Sequence, residues 1–286
     1  MGSSLEDAEF LLSSDHRVGV LEQLLDGACD RRDLRSATGA SPPTIGRIIG
    51  DFEDRHWIER NGRFYRLTGL GTFVAERVAD FQGAMATERR LRRVWPWLPH
   101  ELEGFDVELV LDAVISFPGP QYPYQPVERD EELIADADDI RGFGMTMLKS
   151  STLEEYFARI LDGMECEYVY PTPVFETIHA WDSSTIREAI GRDNYTVYVN
   201  DDVPTGEWCG ICLTDDRVSI CCYEPDSGML RALVDTDADA AYTWGESVYE
   251  RYRAEARPVE AEELDALEST DRDGLDTPDA IEDRPA

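Results

Sequence analysis

The side chains in this sequence that could do chemistry fall into two groups: arginines, many of them in the first third of the chain, and cysteines, most of them in the last third. Every basic residue except Lys149 is an arginine. A guanidinium group stays charged at physiological pH and can bind a phosphate through two parallel hydrogen bonds. Arginines gathered on one surface would therefore suit a nucleic acid, whereas thiols suit metal binding or redox chemistry.

Four of the six cysteines lie near an Asp-Asp turn that predicts a β-hairpin. That turn places Cys209 opposite Cys222 on one face of the hairpin, and it places Cys212 and Cys221 on the other face. Thiols on opposed faces do not converge on a tetrahedral zinc ion, so no metal site is predicted. Two interpretations stay open for the cysteines: small buried hydrophobic side chains, or a redox-sensing pair of Cys209 with Cys222.

The sequence shows few signs of catalysis. It contains neither a phosphate-binding P-loop nor a dinucleotide-binding glycine motif. The four histidines (His16, His56, His100 and His179) have no metal-ligand spacing. We therefore predict no catalytic residue and no cofactor.

The first 68 residues, which contain many of the arginines, begin with three predicted helices. Asp15 can cap the first helix, Asp30 can cap a shorter second one, and a Thr-Gly-Ala break follows the second. Ser41 is a good N-cap for the third, and Pro42 is tolerated at its first position. The third helix has an apolar face of Ile45, Ile48, Ile49 and Phe52. Two helices around a tight glycine turn are typical of a helix-turn-helix.

A hairpin is predicted directly after the third helix. Asn61-Gly62 separates two strand-like runs and predicts a type I′ turn. Three helices followed by a hairpin make residues 1–68 a winged helix, the alternative being a small α+β domain of another purpose. We expect the third helix to contact DNA bases and the hairpin, or wing, to contact phosphates or the minor groove. The predicted DNA-contacting residues are Ser41, Pro43, Thr44, Arg47, Arg60, Asn61 and Arg63, and the alternative for each is a solvated polar residue.

Beyond the wing we predict three further segments. Residues 69–94 form a long helix with an apolar stripe. The stripe could pack on its own domain or against its copy in a second subunit, and we favour the homodimer contact. Residues 95–257 alternate between strand-like and helix-like segments, which predicts an α/β domain with a partly parallel sheet. Residues 258–286 are rich in acids with few aliphatic residues and are predicted to be a disordered tail.

Charge is distributed unevenly along the chain. The formal net charge is −33, yet residues 1–93 contain 14 arginines and 15 acids, so nearly all of the acid excess lies beyond them. At about 1 M salt the Debye length is about 3 Å, and distant acids no longer repel phosphate. We therefore expect a halophile's protein, the alternative being an ordinary acidic protein. With no long apolar run and no signal peptide, a cytoplasmic location is predicted.

The chain up to about residue 257 resembles the archaeal winged-helix regulators that carry a methanogenesis-regulator-type middle domain, in the version widespread in halophiles. The motifs that carry the resemblance are residues 13–17, residues 63–68, residues 198–204, residues 212–218 and residues 241–253. The resemblance implies that the second domain senses a small molecule and is not catalytic. It also implies a core similar to half of a phospholipase D, although the His-x-Lys motif of those enzymes is absent before Lys149.

These observations lead to one main hypothesis and two alternatives. The main hypothesis is a homodimeric transcriptional regulator that binds double-stranded DNA and responds to an unknown small-molecule effector. The alternatives are a regulator switched by Cys209 and Cys222, and a phosphodiesterase-like enzyme with an appended winged helix.

Overall fold

The computed structural model describes residues 3–144, 150–203, 210–224, 230–260 and Leu264. Clustering of the contacts divides the chain into two compact units, residues 1–90 and residues 91–286. The two units have separate hydrophobic cores.

The N-terminal unit is a winged helix with additional helices before and after it. Its elements in chain order are α1 (Ser4–Leu12), α2 (Asp15–Leu25), β1 (Cys29–Asp30), α3 (Arg31–Thr38), α4 (Pro42–Asp54), β2 (Ile58–Asn61), β3 (Phe64–Leu67) and α5 (Gly69–Leu91). The three strands form one sheet in the order β1-β3-β2. The helix-turn-helix and the wing predicted from the sequence are therefore confirmed.

Local capping accounts for most of these helix boundaries. The Asp30 carboxylate accepts hydrogen bonds from the backbone N–H groups of Arg32 and Asp33 at the start of α3. At the start of α5, the Thr68 hydroxyl accepts a hydrogen bond from the N–H of Gly71 at 3.0 Å. Asp15 was predicted to be a cap but is the first residue of α2, whose N-cap is Ser14.

The turn of the wing differs from the prediction by one residue. Asn61 pairs with Phe64, so the two residues of the turn are Gly62 and Arg63. Gly62 has a φ of 63°, and Arg63 does not have a positive φ. A type II′ turn takes glycine at its first central position, whereas the predicted type I′ turn needs a positive φ at both. Asn61 consequently ends strand β2 and is not a turn residue.

Helix α1 was not predicted, because the first predicted helix of the domain is the one capped by Asp15. The helix starts with a capping box, in which the Ser3 hydroxyl accepts from the N–H of Glu6 and the Glu6 carboxylate accepts from the N–H of Ser3. Leu11 is 3% exposed and joins the core of the unit. The ring centroid of Phe10 lies 6.4 Å from that of Trp57.

At one glycine, helix α5 closely approaches the backbone of Trp57, the residue before β2. A Cβ atom added at Gly71 would lie 1.8 Å from the carbonyl oxygen of Trp57. Contacts under 3.0 Å to backbone cannot be relieved by a side-chain rotation, so this helix can pack here only with glycine.

Gly71→Ala is therefore expected to destabilise the N-terminal unit by about 2 to 3 kcal/mol, because the helix must shift away from Trp57. Gly83→Ala on the same helix is the matched control. A Cβ at Gly83 would meet no atom within 4 Å, so its replacement should stabilise the helix by up to about 1 kcal/mol. Denaturant unfolding of both variants measures the difference, and equal stability of the two variants would contradict the contact.

The C-terminal unit is an α/β domain. Its elements are β4 (Val114–Ser116), α6 (Gln125–Asp136), β5 (Asp139–Phe143), α7 (Ser150–Leu161), β6 (Glu165–Tyr170), α8 (Thr172–Trp181), α9 (Ser183–Ile190), β7 (Tyr195–Val199), β8 (Gly210–Thr214), β9 (Arg217–Tyr223), β10 (Leu230–Thr236), α10 (Asp239–Ala254) and β11 (Arg257–Pro258). Strand β5 ends at Phe143, and residues 145–149 lie outside the described part of the chain.

These strands form one mixed sheet in the order β11-β7-β6-β5-β8-β9-β10-β4. Strands β5, β6 and β7 are parallel, and the other described neighbours are antiparallel. The prediction of an α/β domain with a partly parallel sheet is therefore confirmed.

Helices cover both faces of this sheet. One core contains Trp244, Val248 and Tyr249 of α10, and the other contains side chains from α6, α7, α8 and α9. Strands buried on both faces read as continuous apolar runs, which is the pattern of β8, in which all five residues are buried.

The C-terminal boundary of the unit lies later than predicted. The disordered tail was predicted to begin at residue 258, but Pro258 pairs with Tyr198 in the sheet. Val259 and Leu264 are 8% and 0% exposed and belong to the second core. The prediction was wrong at its start because apolar residues scattered among acids still reach the core, and residues 265–286 lie outside the described part.

Candidate nucleic-acid interface

Helix α4 begins with Ser41-Pro42-Pro43-Thr44, which caps the helix without free backbone donors in its first turn. Proline has no N–H group, so neither Pro42 nor Pro43 can donate. The N–H of Thr44 donates to the Ser41 hydroxyl at 3.3 Å, and the N–H of Ile45 donates to the Ser41 carbonyl at 3.0 Å. Where a helix N-terminus binds an anion, it usually does so through its free backbone N–H groups. An anion at this helix end must instead be bound by side chains.

The burial of α4 separates it into two faces. Its apolar residues are at most 1% exposed and point into the core of the unit, and these are Ile45, Ile48, Ile49 and Phe52. On the opposite side Ser41, Pro43 and Arg47 are exposed, and Thr44 is half-buried. The apolar periodicity had predicted this orientation.

The exposed face of α4 has little side-chain bulk beside Arg47. A Cβ atom added at Gly46 or at Gly50 would meet no atom within 4 Å. Each glycine costs the helix roughly 1 kcal/mol relative to alanine. The result is a helix surface that another molecule can approach closely.

The predicted residues of the wing are also exposed. Arg60 donates from Nε to the carbonyl oxygen of Gly62 at 2.7 Å, which holds this side chain along the turn. The Arg63 side chain is 76% exposed and lies at the tip, with its Nε 3.9 Å from a carboxylate oxygen of Asp30. An exposed pair at this distance contributes little, so Arg63 can exchange Asp30 for a phosphate.

Sequence reasoning missed the arginines at the start of α3. Strand β1 pairs with β3, so that Asp30 lies opposite Phe64 and α3 starts beside the wing. Arg31 donates from Nε to the hydroxyl of Tyr65 at 3.1 Å, and Arg32 is exposed. The consecutive arginines were visible in the sequence, but their proximity to the wing depends on a strand pairing between residues more than thirty positions apart.

The cysteines described by the structure are buried thiols. Cys212 and Cys221 belong to one face of the sheet and Cys222 to the other, as the hairpin predicted. Burial raises the pKa of Cys222 to about 12, so this thiol is protonated at neutral pH and a poor nucleophile. Cys209, the other residue of the redox hypothesis, lies outside the described residues.

In the part of the chain that the structure describes, no three His, Cys, Asp or Glu side chains are placed to hold a metal ion. No described helix is both long and apolar enough to cross a membrane.

Two family models match separate parts of the chain. Residues 5–90 match the HVO_A0261 N-terminal domain, and residues 123–255 match the middle domain of the methanogenesis regulatory protein FilR1. The first match covers the winged helix, and the second covers the sheet from α6 to α10. No curated protein sequence matches the chain.

Several solved structures resemble the chain at low sequence identity. TrmBL2, described as an archaeal chromatin protein with a novel mode of DNA binding, is 11% identical with a TM-score of 0.41, over 90% of this chain and 100% of that chain. The phospholipase D family member Nuc from Salmonella typhimurium is 11% identical with a TM-score of 0.40, over 52% and 97%. NucT from Helicobacter pylori is 12% identical with a TM-score of 0.41, over 52% and 99%. Likenesses of this size assign no activity to the chain.

Proposed function

We propose that this chain, which carries an HVO_A0261-type N-terminal domain ahead of a FilR1-type middle domain, is a transcriptional regulator that binds duplex DNA through α4 and the wing. The observation that carries the proposal is the division of α4 into a fully buried apolar face and an opposite face that is exposed near the helix N-terminus. The major groove of B-DNA is about 12 Å wide and admits one α-helix. The exposed face of α4 fits the major groove because Gly46 and Gly50 let the helix backbone approach the DNA closely.

The individual contacts follow from the chemistry of each side chain. Arg47 is suited to the O6 and N7 acceptors of guanine. The Thr44 hydroxyl lies 2.8 Å from that of Ser41, which leaves the Thr44 methyl group for an apolar contact with a thymine methyl. Ser41 and Pro43 border these two at the helix start. In the wing, Arg60, Asn61 and Arg63 bind phosphates or the minor groove, and Arg31 and Arg32 extend that surface.

Arg47→Ala is expected to weaken binding to the operator by about 10- to 100-fold, because one bidentate base contact contributes about 1 to 3 kcal/mol. Binding to unrelated DNA should change much less, so the ratio of specific to non-specific affinity falls. Fluorescence anisotropy with operator and scrambled duplexes, after genome-wide mapping of binding sites has identified the operator, measures both affinities.

Arg89→Ala is the matched control for that experiment. Arg89 is an exposed arginine in the last turn of α5, so its replacement removes the same charge from another part of the chain. We expect operator affinity close to that of the parent. Parent-like affinity and specificity of Arg47→Ala would exclude α4 as the reading helix.

We further propose that the regulator is a homodimer formed through α1 and α5. These helices border an apolar groove of about 480 Å³ in the N-terminal unit. Phe73 and Phe81 on α5 are 60% and 51% exposed. Asp7 and Arg77 also line the groove, and a two-fold axis would bring these opposite charges of two copies together. A dimer of this kind requires an operator with two related half-sites.

The C-terminal unit is proposed to sense a small molecule and to change the spacing of the two winged helices. Its sheet is covered on both faces, which leaves cavities between helices and strands as binding sites. We propose no catalytic role for it.

We place the regulator in the cytoplasm of a halophile, where salt screens the acidic side chains of the protein from the DNA phosphates. Operator affinity that persists at about 1 M salt would support this proposal.

A further inference from the structure

A cavity lies inside the C-terminal unit, on the sheet face covered by α6, α7 and α8. Its volume is about 50 Å³. An engineered cavity of about 150 Å³ is needed to hold benzene, so this space suits a smaller molecule. Aliphatic and cysteine side chains supply part of the lining, and the remainder is Asp130, Tyr156, Tyr168, Tyr170 and Tyr223.

Asp130 supplies the only charge among the described residues that line the cavity. The side chain is on α6, is 5% exposed, and makes no hydrogen bond or ion pair with the described part of the chain. Burial without a partner, together with the smaller effect of the negative charges of Glu131 and Asp235, raises the pKa of this carboxyl to about 7.

The neighbouring Asp235 is a buried acid whose charge is balanced by arginines of the same chain. Its side chain is fully buried, and its Oδ1 accepts from Nη2 of Arg129 at 2.8 Å and from Nη2 of Arg217 at 2.5 Å. Two arginines thus neutralise Asp235, whereas Asp130, the next residue along α6 from Arg129, has no such partner in the described part of the chain. An unpaired buried carboxylate is costly, and a cation bound in the cavity would offset that cost.

Aromatic rings form the other part of the lining. Tyr168 and Tyr170 are stacked with their ring centroids 4.5 Å apart, and ring faces attract cations. Two glycines, Gly142 in β5 and Gly144 just after it, make room for Tyr168. A Cβ at Gly142 would lie 3.0 Å from its Cε2, and a Cβ at Gly144 would lie 2.8 Å from its hydroxyl oxygen. The sheet is therefore shaped around this ring.

We propose that the cavity binds a small organic ammonium ion, with Asp130 as its counter-ion and the tyrosine rings around its carbon atoms. This inference rests on the effector role proposed above and names its chemical class. Anions are excluded by the carboxylate, and Ca²⁺ or Mg²⁺ would need six or more oxygen ligands where the lining offers mainly rings, thiols and aliphatic groups.

The test uses the full chain with methylammonium chloride as the probe, and with sodium chloride at equal ionic strength as its control. Thermal unfolding of the C-terminal unit should shift upwards by about 5 to 10 °C when methylammonium is present at 100-fold excess over its dissociation constant. Isothermal titration calorimetry gives that constant directly.

Asp130→Asn keeps the size of the side chain and removes its charge, so the affinity measured by calorimetry should fall at least 10-fold. The thermal shift at the same methylammonium concentration should fall to about half or less. Asp136→Asn is the matched control, because Asp136 is an exposed acid on the same helix, and it should bind like the parent. No binding by the parent, or equal binding by the parent and Asp130→Asn, would overturn the proposal. Circular dichroism of Asp130→Asn shows whether that variant is folded.

DNA binding is measured separately, so that failure of the site and failure of the proposed function are distinguishable. Methylammonium binding with no change in operator affinity would keep the site and refute its role as the effector site. Absence of operator binding by the parent would refute the regulator proposal and leave the ammonium site standing.

Discussion

Asp130→Asn is expected to remove a loss of stability that the parent protein undergoes as the pH rises from about 4 to about 7. The ordinary pKa of an aspartate is 3.8, and burial raises that of Asp130 to about 7. Between these values the folded state holds a proton that the unfolded state has released, so stability falls as the pH rises. Below this window the carboxyl is neutral in both states, and above it the full cost of burying the charge applies.

The size of this effect is large for a single substitution. Three pKa units correspond to about 4 kcal/mol, which is an upper value for the change in stability across the window. The free energy of unfolding of Asp130→Asn minus that of the parent should therefore increase by up to this amount between pH 4 and pH 8. Denaturant unfolding at several pH values, followed by tryptophan fluorescence, measures that difference.

The difference in the free energy of unfolding between the two proteins removes the contribution of the other carboxyl groups, because both proteins contain them. Asp136→Asn should give a difference that varies little with pH, because Asp136 is exposed. A pH-independent difference between the parent and Asp130→Asn would show that the carboxyl is not held in an uncompensated site.

The second large effect is expected from Phe81→Asp in the groove between α1 and α5. Phe81 is 51% exposed and lines this groove, so a carboxylate there should not disrupt the core of the unit but should prevent apolar association. We expect a monomer. Because a dimer binds its second half-site as an intramolecular event, operator affinity should fall by about 10²- to 10⁴-fold.

Light scattering coupled to size-exclusion chromatography gives the oligomeric state, and anisotropy gives the operator affinity. Ala79→Asp adds the same charge to an exposed position of α5 that does not line the groove. This variant should stay dimeric. If Phe81→Asp is also dimeric, the two copies associate through another surface.

The parts of the fold that the sequence predicted well depend on local physics. The Ser-Pro-Pro start of α4 fixes its cap, and four apolar residues at helical spacing fix the face that it buries. For that reason the sequence alone could propose α4 as the reading helix, with exposed Pro43 and Arg47 and half-buried Thr44 on its outer face.

The parts that were missed depend on contacts between distant residues. Helix α1 has only a weak apolar stripe, and it is stabilised by Phe10, over whose ring the guanidinium groups of Arg17 and Arg55 lie at 4.0 and 3.8 Å from the centroid. Such contacts between distant residues leave no periodic pattern in the sequence. The turn of the wing shifted by one residue because Gly62 suits the central positions of either turn type.

The cavity could not be found from the sequence at all. Asp130 stands in the run Glu128-Arg129-Asp130-Glu131-Glu132, which reads as a solvated acidic helix. Only the packing of α6 on the sheet shows that one of these acids is buried while its neighbours are exposed or half-exposed. Burial of a single residue in a charged run is decided by the tertiary structure.

The contact between Gly71 and the Trp57 carbonyl has a mechanical consequence. The hydroxyl of Thr68 also donates to the carbonyl of His56, so the start of α5 and the base of the wing are joined without a flexible segment. Helix α5 has 23 residues and is about 34 Å long, close to one turn of the DNA double helix. A tilt of α5 by roughly 10° about its C-terminal end would therefore move the wing by about 6 Å, which is nearly two base-pair steps.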